Sequence, residues 1–390
     1  MGYHYHVPVQ KKKDGIWVHS YIGVFLLAIA DQVEELVLFL HEEPDQKAVG
    51  YDLLLQKKNI RFESLGKKSP VWDRLLFSGK HLSRARKEIE RCDALILRSP
   101  SPLSPALFNR FSSKVKCFFL IVGDYAEGLK NLKQPWYRFW AIKILLTRNH
   151  NQLLKALSQQ NFFVNSVAFY NSYKDIARKI EVVNTSSITE SDFYKREDTC
   201  SGSDVKLLYT GRFDLAKGLG ELVEAVAQLR KKDVNVSLHL VGWEDYPHKP
   251  IENLLKETAK LKGIQDNVIF YGKMTVGPEL NVMYRRSDLY VLPSYFEGFP
   301  RTIWEAMANS LPVVTTPVGG IAHLLEDRRD MVLTEVKNSE DLAEKIELLI
   351  KDKNLRQTLI RNGWERACEA RVDVQTARMI DSIKKDLKNN

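Results

Sequence analysis

The chain has 390 residues, enough for two domains of ordinary size, and its 44% apolar and 27% charged residues exclude a fibrous, disordered or membrane-integral protein. Four scattered cysteines (Cys92, Cys117, Cys200, Cys368) with no C-x-x-C pair exclude a disulfide framework and a zinc site, and imply a reducing compartment. The net charge is +9, and all of the excess lies early, where residues 1–190 hold 28 Lys and Arg against 18 Asp and Glu. That half is expected to meet an anionic partner, either a membrane surface or a phosphorylated acceptor.

The opening MGYHYHVPV has no basic region followed by an apolar core, so no secretory signal is expected. His6 stands where a myristoylation signal needs Ser or Thr. The pattern predicts a strand over Tyr3–Val9, with His4 and His6 on one face and no third residue to complete a metal site. A helix over Gly23–Gln32 and a strand over Leu36–Leu40 follow. The longest apolar run, Ile22–Ala30, is too short to span a bilayer. Buried strands are predicted at Ala94–Leu97 and Cys117–Val122. Such alternation predicts parallel sheets with helices on both faces. Between them and the second half, Pro135–Lys143 mixes aromatics with cations, which suits either a headgroup interface or a helix buried on one side. The polar, Ser- and Thr-rich residues 183–203 mark the domain junction.

The second half restarts the pattern with strand Val205–Tyr209, helix Leu219–Arg230 (apolar at Leu222, Val223, Val226 and Leu229), strand Val236–Val241, helix Ile251–Leu261 and strand Val268–Tyr271. After the first of these strands comes Gly211-Arg212-x4-Lys217-Gly218. Gly211 permits a sharp turn, Arg212 offers a planar fork of donors and Lys217 a compact charge, a set that suits a diphosphate. Strand Asp288–Ser294 then leads into Glu297, Gly298, Phe299 and Pro300, and a helix carries Glu305, separated from Glu297 by seven residues. One carboxylate follows a parallel strand and the other lies inside the next helix, where open α/β sheets bind ligands. Free N–H groups of the helix start favour an anion, and carboxylates accept from hydroxyls. The pair suits a sugar nucleotide. The chain closes on an amphipathic helix over Val374–Leu387.

The stretch Glu297-Gly298-Phe299-Pro300, Glu305-Ala306-Met307-Ala308, Pro312-Val313-Val314 and Gly319-Gly320, with the Gly211–Gly218 motif, resembles the donor site of the retaining glycosyltransferases of family 4. The resemblance implies an α/β fold of two Rossmann-like domains facing across a cleft (GT-B). The N-terminal, acceptor-side domain would span 1–190 and the nucleotide-sugar domain 204–370, with residues 371–390 crossing back to the first domain. It implies that Arg212 and Lys217 hold the donor diphosphate and stabilise it as it leaves. Glu297 would take hydroxyls of the transferred sugar and Glu305 those of the ribose. Backbone around Gly211, Gly298, Phe299 and Pro300 would lie near sugar and phosphate, and the base near Tyr271. No metal or other cofactor is expected.

The first half departs from the family pattern. Its usual Gly-Gly loop is reduced to Gly23, a candidate donor-phosphate contact or simply a helix start, and Asp124 stands where a histidine is common, as a candidate sugar or acceptor contact or an ordinary turn residue. The function implied is transfer of a sugar from a nucleotide-diphosphate sugar to a glycan or lipid-linked acceptor in cell-surface polysaccharide synthesis. It would take place in the cytoplasm, with a peripheral contact between the basic half and the inner face of the membrane. Sugar-nucleotide epimerases and phosphorylases of the same fold, and a non-catalytic sugar-nucleotide-binding partner, are the alternatives. Nucleic-acid binding is not expected, because no nucleic-acid motif accompanies the charge.

Overall fold

The computed structural model describes residues 1–43, 50–123, 136–158, 160–244, 246–297 and 299–389, with only the backbone of 136–138. The chain divides into two units, one of residues 1–187 with 372–390 and the other of residues 188–371.

The first unit begins with β1 (Gly2–His4), then β2 (Gln10–Lys12), β3 (Gly15–Val18), β4 (Leu36–Glu42), β5 (Leu53–Leu55), β6 (Ile60–Lys67), β7 (Ala94–Ser99), β8 (Lys116–Ile121), β9 (Asn161–Val164) and β10 (Lys179–Val182). Seven of these form one parallel sheet in the order β10-β9-β8-β7-β1-β4-β6. Its strands are buried on both faces, as the unbroken apolar runs LVLF and ALIL require. Strand order reverses at β1, so the crevice beyond the ends of β1 and β7 is the topological switch point.

Two corrections concern the start of the chain. The expected strand Tyr3–Val9 ends at His4; Pro8 lacks the N–H a ladder needs, and Val9 makes only an isolated bridge to Glu42. A separate antiparallel sheet, β2-β3-β5, follows, which alternation of charge and apolar residues over so few positions did not reveal. One face of the main sheet is covered by helices Ser20–Ala30 and Val372–Lys388, through Phe25, Leu26, Ile29, Met379, Ile380 and Ile383. Asn161 donates to Asp386 and Lys384 to the Gln32 carbonyl, tying the C-terminal helix to this unit.

The second unit holds β11 (Val205–Arg212), β12 (Val236–Trp243), β13 (Val268–Gly272), β14 (Leu289–Leu292), β15 (Val313–Thr315) and β16 (Val332–Leu333). They form a parallel sheet ordered β13-β12-β11-β14-β15-β16, reversing between β11 and β14. Residues 188–203 are no free linker. Ile188 enters this unit's core, and Arg196 donates to the carbonyls of Tyr284, Arg285, Ser287 and Ser310. Asp198 pairs in fork geometry with the buried Arg356. Polar composition marked the boundary, but these polar side chains are there to satisfy carbonyls and charges of the second unit. Among the described residues no helix is long and apolar enough to cross a membrane.

Candidate active site

The ends of β11 and β14, adjacent at the second unit's switch point, bring the two charged motifs together. Gly211 has φ 147°, a conformation L side chains rarely adopt, and the Tyr209 hydroxyl donates to the Arg212 carbonyl at 2.8 Å. A Cβ on Gly242 would lie 1.9 Å from the Gly211 carbonyl oxygen, so β12 passes β11 where only glycine fits. Asp214 caps the turn Leu215–Lys217 by accepting the Ala216 N–H at 2.9 Å. Gly218, at φ 65°, ends it, and a Cβ there would meet the Pro293 carbonyl oxygen at 2.1 Å. The Tyr295 N–H donates to the Ala216 carbonyl at 2.8 Å. The loop after β11 and the loop after β14 are therefore fastened to each other by backbone.

That fastening sets Lys217 Nζ 2.6 Å from Glu297 Oε1, and the Ser294 hydroxyl donates to the same oxygen at 2.8 Å. Both charged side chains are largely enclosed, 21% and 11% exposed, where a charge pair is screened less than on the surface. Arg212 lies half exposed, 3.4 Å from Asp214. Lys217 and Glu297 thus join the two loops through one ion pair, with Arg212 on the Lys217 loop.

Glu305 is buried on helix Arg301–Ala308, which starts directly after Pro300. Burial holds its carboxyl above the usual carboxylate range, against the opposing pull of Tyr284 and the Arg301 charge. The Tyr284 hydroxyl donates to Glu305 Oε2 at 2.9 Å and lies 2.7 Å from Thr210 Oγ1, itself 3.2 Å from the Tyr290 hydroxyl. With its hydrogen directed at Glu305, the Tyr284 oxygen accepts from the Thr210 hydroxyl. A run of hydroxyls therefore joins Glu305 to the end of β11. Neither Thr210, Tyr284, Tyr290 nor Ser294 was singled out from sequence. Thr210 and Tyr290 within strands and Tyr284 within helix Pro278–Arg286 read as core, and only Ser294, three residues before Glu297 at a strand end, carries a local polar signal.

Phe299 stacks on Trp304 with ring centroids 4.8 Å apart. Tyr271, at the end of β13, lies against His239, its hydroxyl 2.9 Å from Nδ1. Gly23 sits inside helix Ser20–Ala30 of the first unit; its N–H donates to the His19 carbonyl, and a Cβ would meet Leu53 and Val18 at 2.7 and 2.8 Å. This gives Gly23 a packing reason. Gly298 and Asp124 lie outside the described residues.

The family model described as "Glycosyl transferases group 1" matches residues 190–366. The mannosylfructose-phosphate synthase of Agrobacterium fabrum is 34% identical over 164 residues, 41% of this chain and 36% of that protein. The D-inositol 3-phosphate glycosyltransferase of Pseudarthrobacter chlorophenolicus is 31% identical over 168 residues, 41% of this chain and 40% of that protein. The chain spans about two fifths of the length of the curated relatives it matches. Among solved structures, HepE of Anabaena in complex with UDP aligns over 99% of this chain and 100% of that one, with TM-score 0.71 and 18% identity. Sucrose-phosphate synthase from Thermosynechococcus elongatus aligns over 100% and 99%, with TM-score 0.69 and 17% identity. These two likenesses show the fold, which is GT-B. The family match falls within the second unit, which is thereby similar to the group 1 glycosyl transferases.

Proposed function

We propose that the chain is a retaining glycosyltransferase that moves a sugar from a nucleotide-diphosphate sugar to a glycan or lipid-linked acceptor. The observation that carries this reading is the charged cluster at the β11/β14 switch point, with Lys217 2.6 Å from Glu297 and Arg212 on the same loop. Arg212 and Lys217 hold the donor diphosphate and offset the charge that grows as it departs. Glu297 accepts hydroxyls of the transferred sugar, and Glu305, held by Tyr284, those of the ribose. In a front-face step the acceptor oxygen bonds to the anomeric carbon as the bond to the diphosphate breaks. The acceptor's proton passes to the departing phosphate oxygen. No metal is required by this scheme, because the two cations supply the positive charge. HepE was solved with UDP and with UDP-glucose, which supports a uridine nucleotide as the first donor to try.

Related sequences include a capsular polysaccharide glycosyltransferase of Staphylococcus aureus and an undecaprenol-diphosphate-linked sugar transferase of Campylobacter jejuni, which supports a cell-surface glycan as product. Helix Trp136–Leu157 supports work at the inner face of the membrane from the cytoplasm. Its 22 residues contain no acid, and it exposes Trp140 and Ile144 beside Lys143, Arg148 and Lys155. Vesicles with anionic lipid should retain the protein, and Trp140→Ala with Lys143→Glu should release it; equal retention of both would remove the membrane contact.

The donor reading is tested by thermal stabilisation with a panel of sugar nucleotides. Stabilisation by one of them, lost in Lys217→Gln and Glu305→Ala, is the expected result. If none stabilises the wild type, the reading fails. Free nucleotide released without acceptor, or phosphorolysis of a glycan, would favour an epimerase or phosphorylase. Donor binding with no transfer to membrane extracts would favour a binding-only partner.

A further inference from the structure

In the first unit a cavity of about 410 Å³ lies where the connections of its two sheets meet. Three of its lining residues stand just beyond neighbouring parallel strands: His6 beyond β1, Glu43 beyond β4 and Lys68 beyond β6. The others come from the small antiparallel sheet and its exit. His19 follows β3, Tyr51 precedes β5, and Tyr21 lies in the first turn of helix Ser20–Ala30. Backbone bonds hold this edge in place. The Val9 N–H donates to the His41 carbonyl at 2.9 Å, and the Glu43 N–H to the Val9 carbonyl at 2.8 Å. The Lys68 N–H donates to the Glu42 carbonyl at 2.8 Å. A site on such connections needs little ordering when a ligand arrives.

The wall of the cavity is part aromatic and part polar. The His19 ring stacks on Tyr51 and on Tyr21, with centroids 4.5 and 5.7 Å away, and its Nδ1 is 2.7 Å from the Gly50 carbonyl. Lys68 Nζ at 3.2 Å and the Tyr51 hydroxyl at 3.4 Å both reach Oε2 of Glu43, a carboxylate only 12% exposed. Its Oε1 can therefore accept from a ligand, and Lys68 has further N–H groups to give. His6 Nδ1 is 3.0 Å from the Pro100 carbonyl, which fixes the ring proton there and leaves Nε2 as an acceptor. Burial pushes His6 down to about 4, so its ring is neutral near pH 7.

These groups select against an anion. Glu43 and Lys68 balance each other, and the start of the adjoining helix is already taken, since the Ser20 N–H donates to Asp52 Oδ1 at 2.7 Å. A wholly apolar ligand would leave the carboxylate and imidazole acceptors desolvated and unpaired. A ring with hydroxyls at its edge and C–H bonds on its face meets both halves of the wall. We propose that this cavity is a binding subsite for an uncharged pyranose, with Glu43, Lys68 and His6 taking its hydroxyls and the aromatic stack of His19, Tyr21 and Tyr51 its apolar face. Only the ligand's role rests on the transferase reading, which this step deepens: the ring is then the acceptor's sugar, and the acceptor presents an uncharged sugar to the first unit.

The test gives the full wild-type chain, without nucleotide, the methyl α-glycosides of glucose, galactose, mannose and N-acetylglucosamine. Binding is read by saturation-transfer NMR titration. At least one glycoside should bind. Glu43→Gln should weaken it by about tenfold, the loss of a hydrogen bond to a charged group. Tyr21→Ala should also weaken it, and Tyr21→Phe, which keeps the ring, should restore it. Glucose 6-phosphate should bind no more tightly than methyl glucoside. The proposal is overturned if no glycoside binds, if Glu43→Gln and Tyr21→Ala bind as the wild type does, or if the phosphorylated sugar binds more tightly. Thermal stabilisation by UDP reads the second unit separately and should persist in Glu43→Gln, which also shows that this variant is folded. Its absence in the wild type would count against the donor reading and leave the glycoside result standing.

Discussion

The two units share one sheet topology and treat charge at its switch point in opposite ways. In the second, Lys217 and Glu297 neutralise each other at 2.6 Å, and Ser294 completes the carboxylate. In the first, the Arg74 guanidinium is buried with no hydrogen bond or ion pair among the described residues and only the charge of Asp73 acting on it, and His4, His6 and His41 are all held neutral by burial. The same backbone architecture thus supports a close ion pair in one unit and a set of neutral histidines in the other. Topology chooses where a ligand sits; the side chains at that place decide its chemistry.

The strongest way to break the comparison is to disrupt the second switch point alone. Gly242→Ala places a methyl 1.9 Å from the Gly211 carbonyl, and backbone must move. Loss of about 4 kcal/mol or more is expected in the second unit, with the first unit's hydrogen-exchange protection retained. Uniform loss of protection across both units would show that they do not fold separately.

A smaller effect, on rate and not on folding, is expected from Lys217→Gln. Sugar transfer should fall by about 10²–10³-fold, the effect of removing one preorganised group that stabilises developing charge. Loss confined to KM, with kcat unchanged, would limit Lys217 to ground-state binding.

Acid sharpens the contrast further. His4 is pushed down to about 3, and His6 and His41 to about 4, in each case chiefly by burial. A base whose folded pKa is depressed stabilises the fold above its unfolded pKa, near 6.5, and this stability is lost as pH falls toward the folded value. Protection of β1 and β4 should therefore decline between about pH 6.5 and pH 4 ahead of β11 and β12, measured with intrinsic exchange rates corrected. An equal decline in both sheets would remove the histidines as the cause.

The smallest effect is expected at Glu305. Its folded pKa is raised by burial, so its favourable contribution exists at low pH, where it is protonated in both states, and is lost as pH rises through the folded pKa. Glu305→Gln should match the wild type in thermal midpoint near pH 4 and exceed it at pH 8, while losing nucleotide binding. A midpoint difference that does not change with pH would place the carboxyl in solvent.

The second unit was legible because its charged residues and its backbone constraints coincide in short motifs. Gly211, Lys217 and Gly218 are spaced by the turn they build, and Glu297 by the strand it follows. Thr210, Tyr284 and Tyr290 were not legible, since a hydroxyl inside a buried strand or helix has the same pattern as packing. In the first unit the strand from Tyr3 was drawn too long, because alternation continues through His6 although Pro8 removes a donor and pairing stops at His4. Arg74 was invisible for a different reason. One arginine in a basic half looks like a solvated charge, and only burial separates it from its neighbours.

The contact between Lys217 and Glu297 also acts as an internal rival to any bound phosphate. On the proposed reading, a donor that takes the lysine would first have to displace a carboxylate already seated on it, at a cost to affinity. The same carboxylate would return to the lysine after transfer and compete with the spent nucleotide for it. A variant that removes the rival while keeping the sugar contacts would trade turnover for retention.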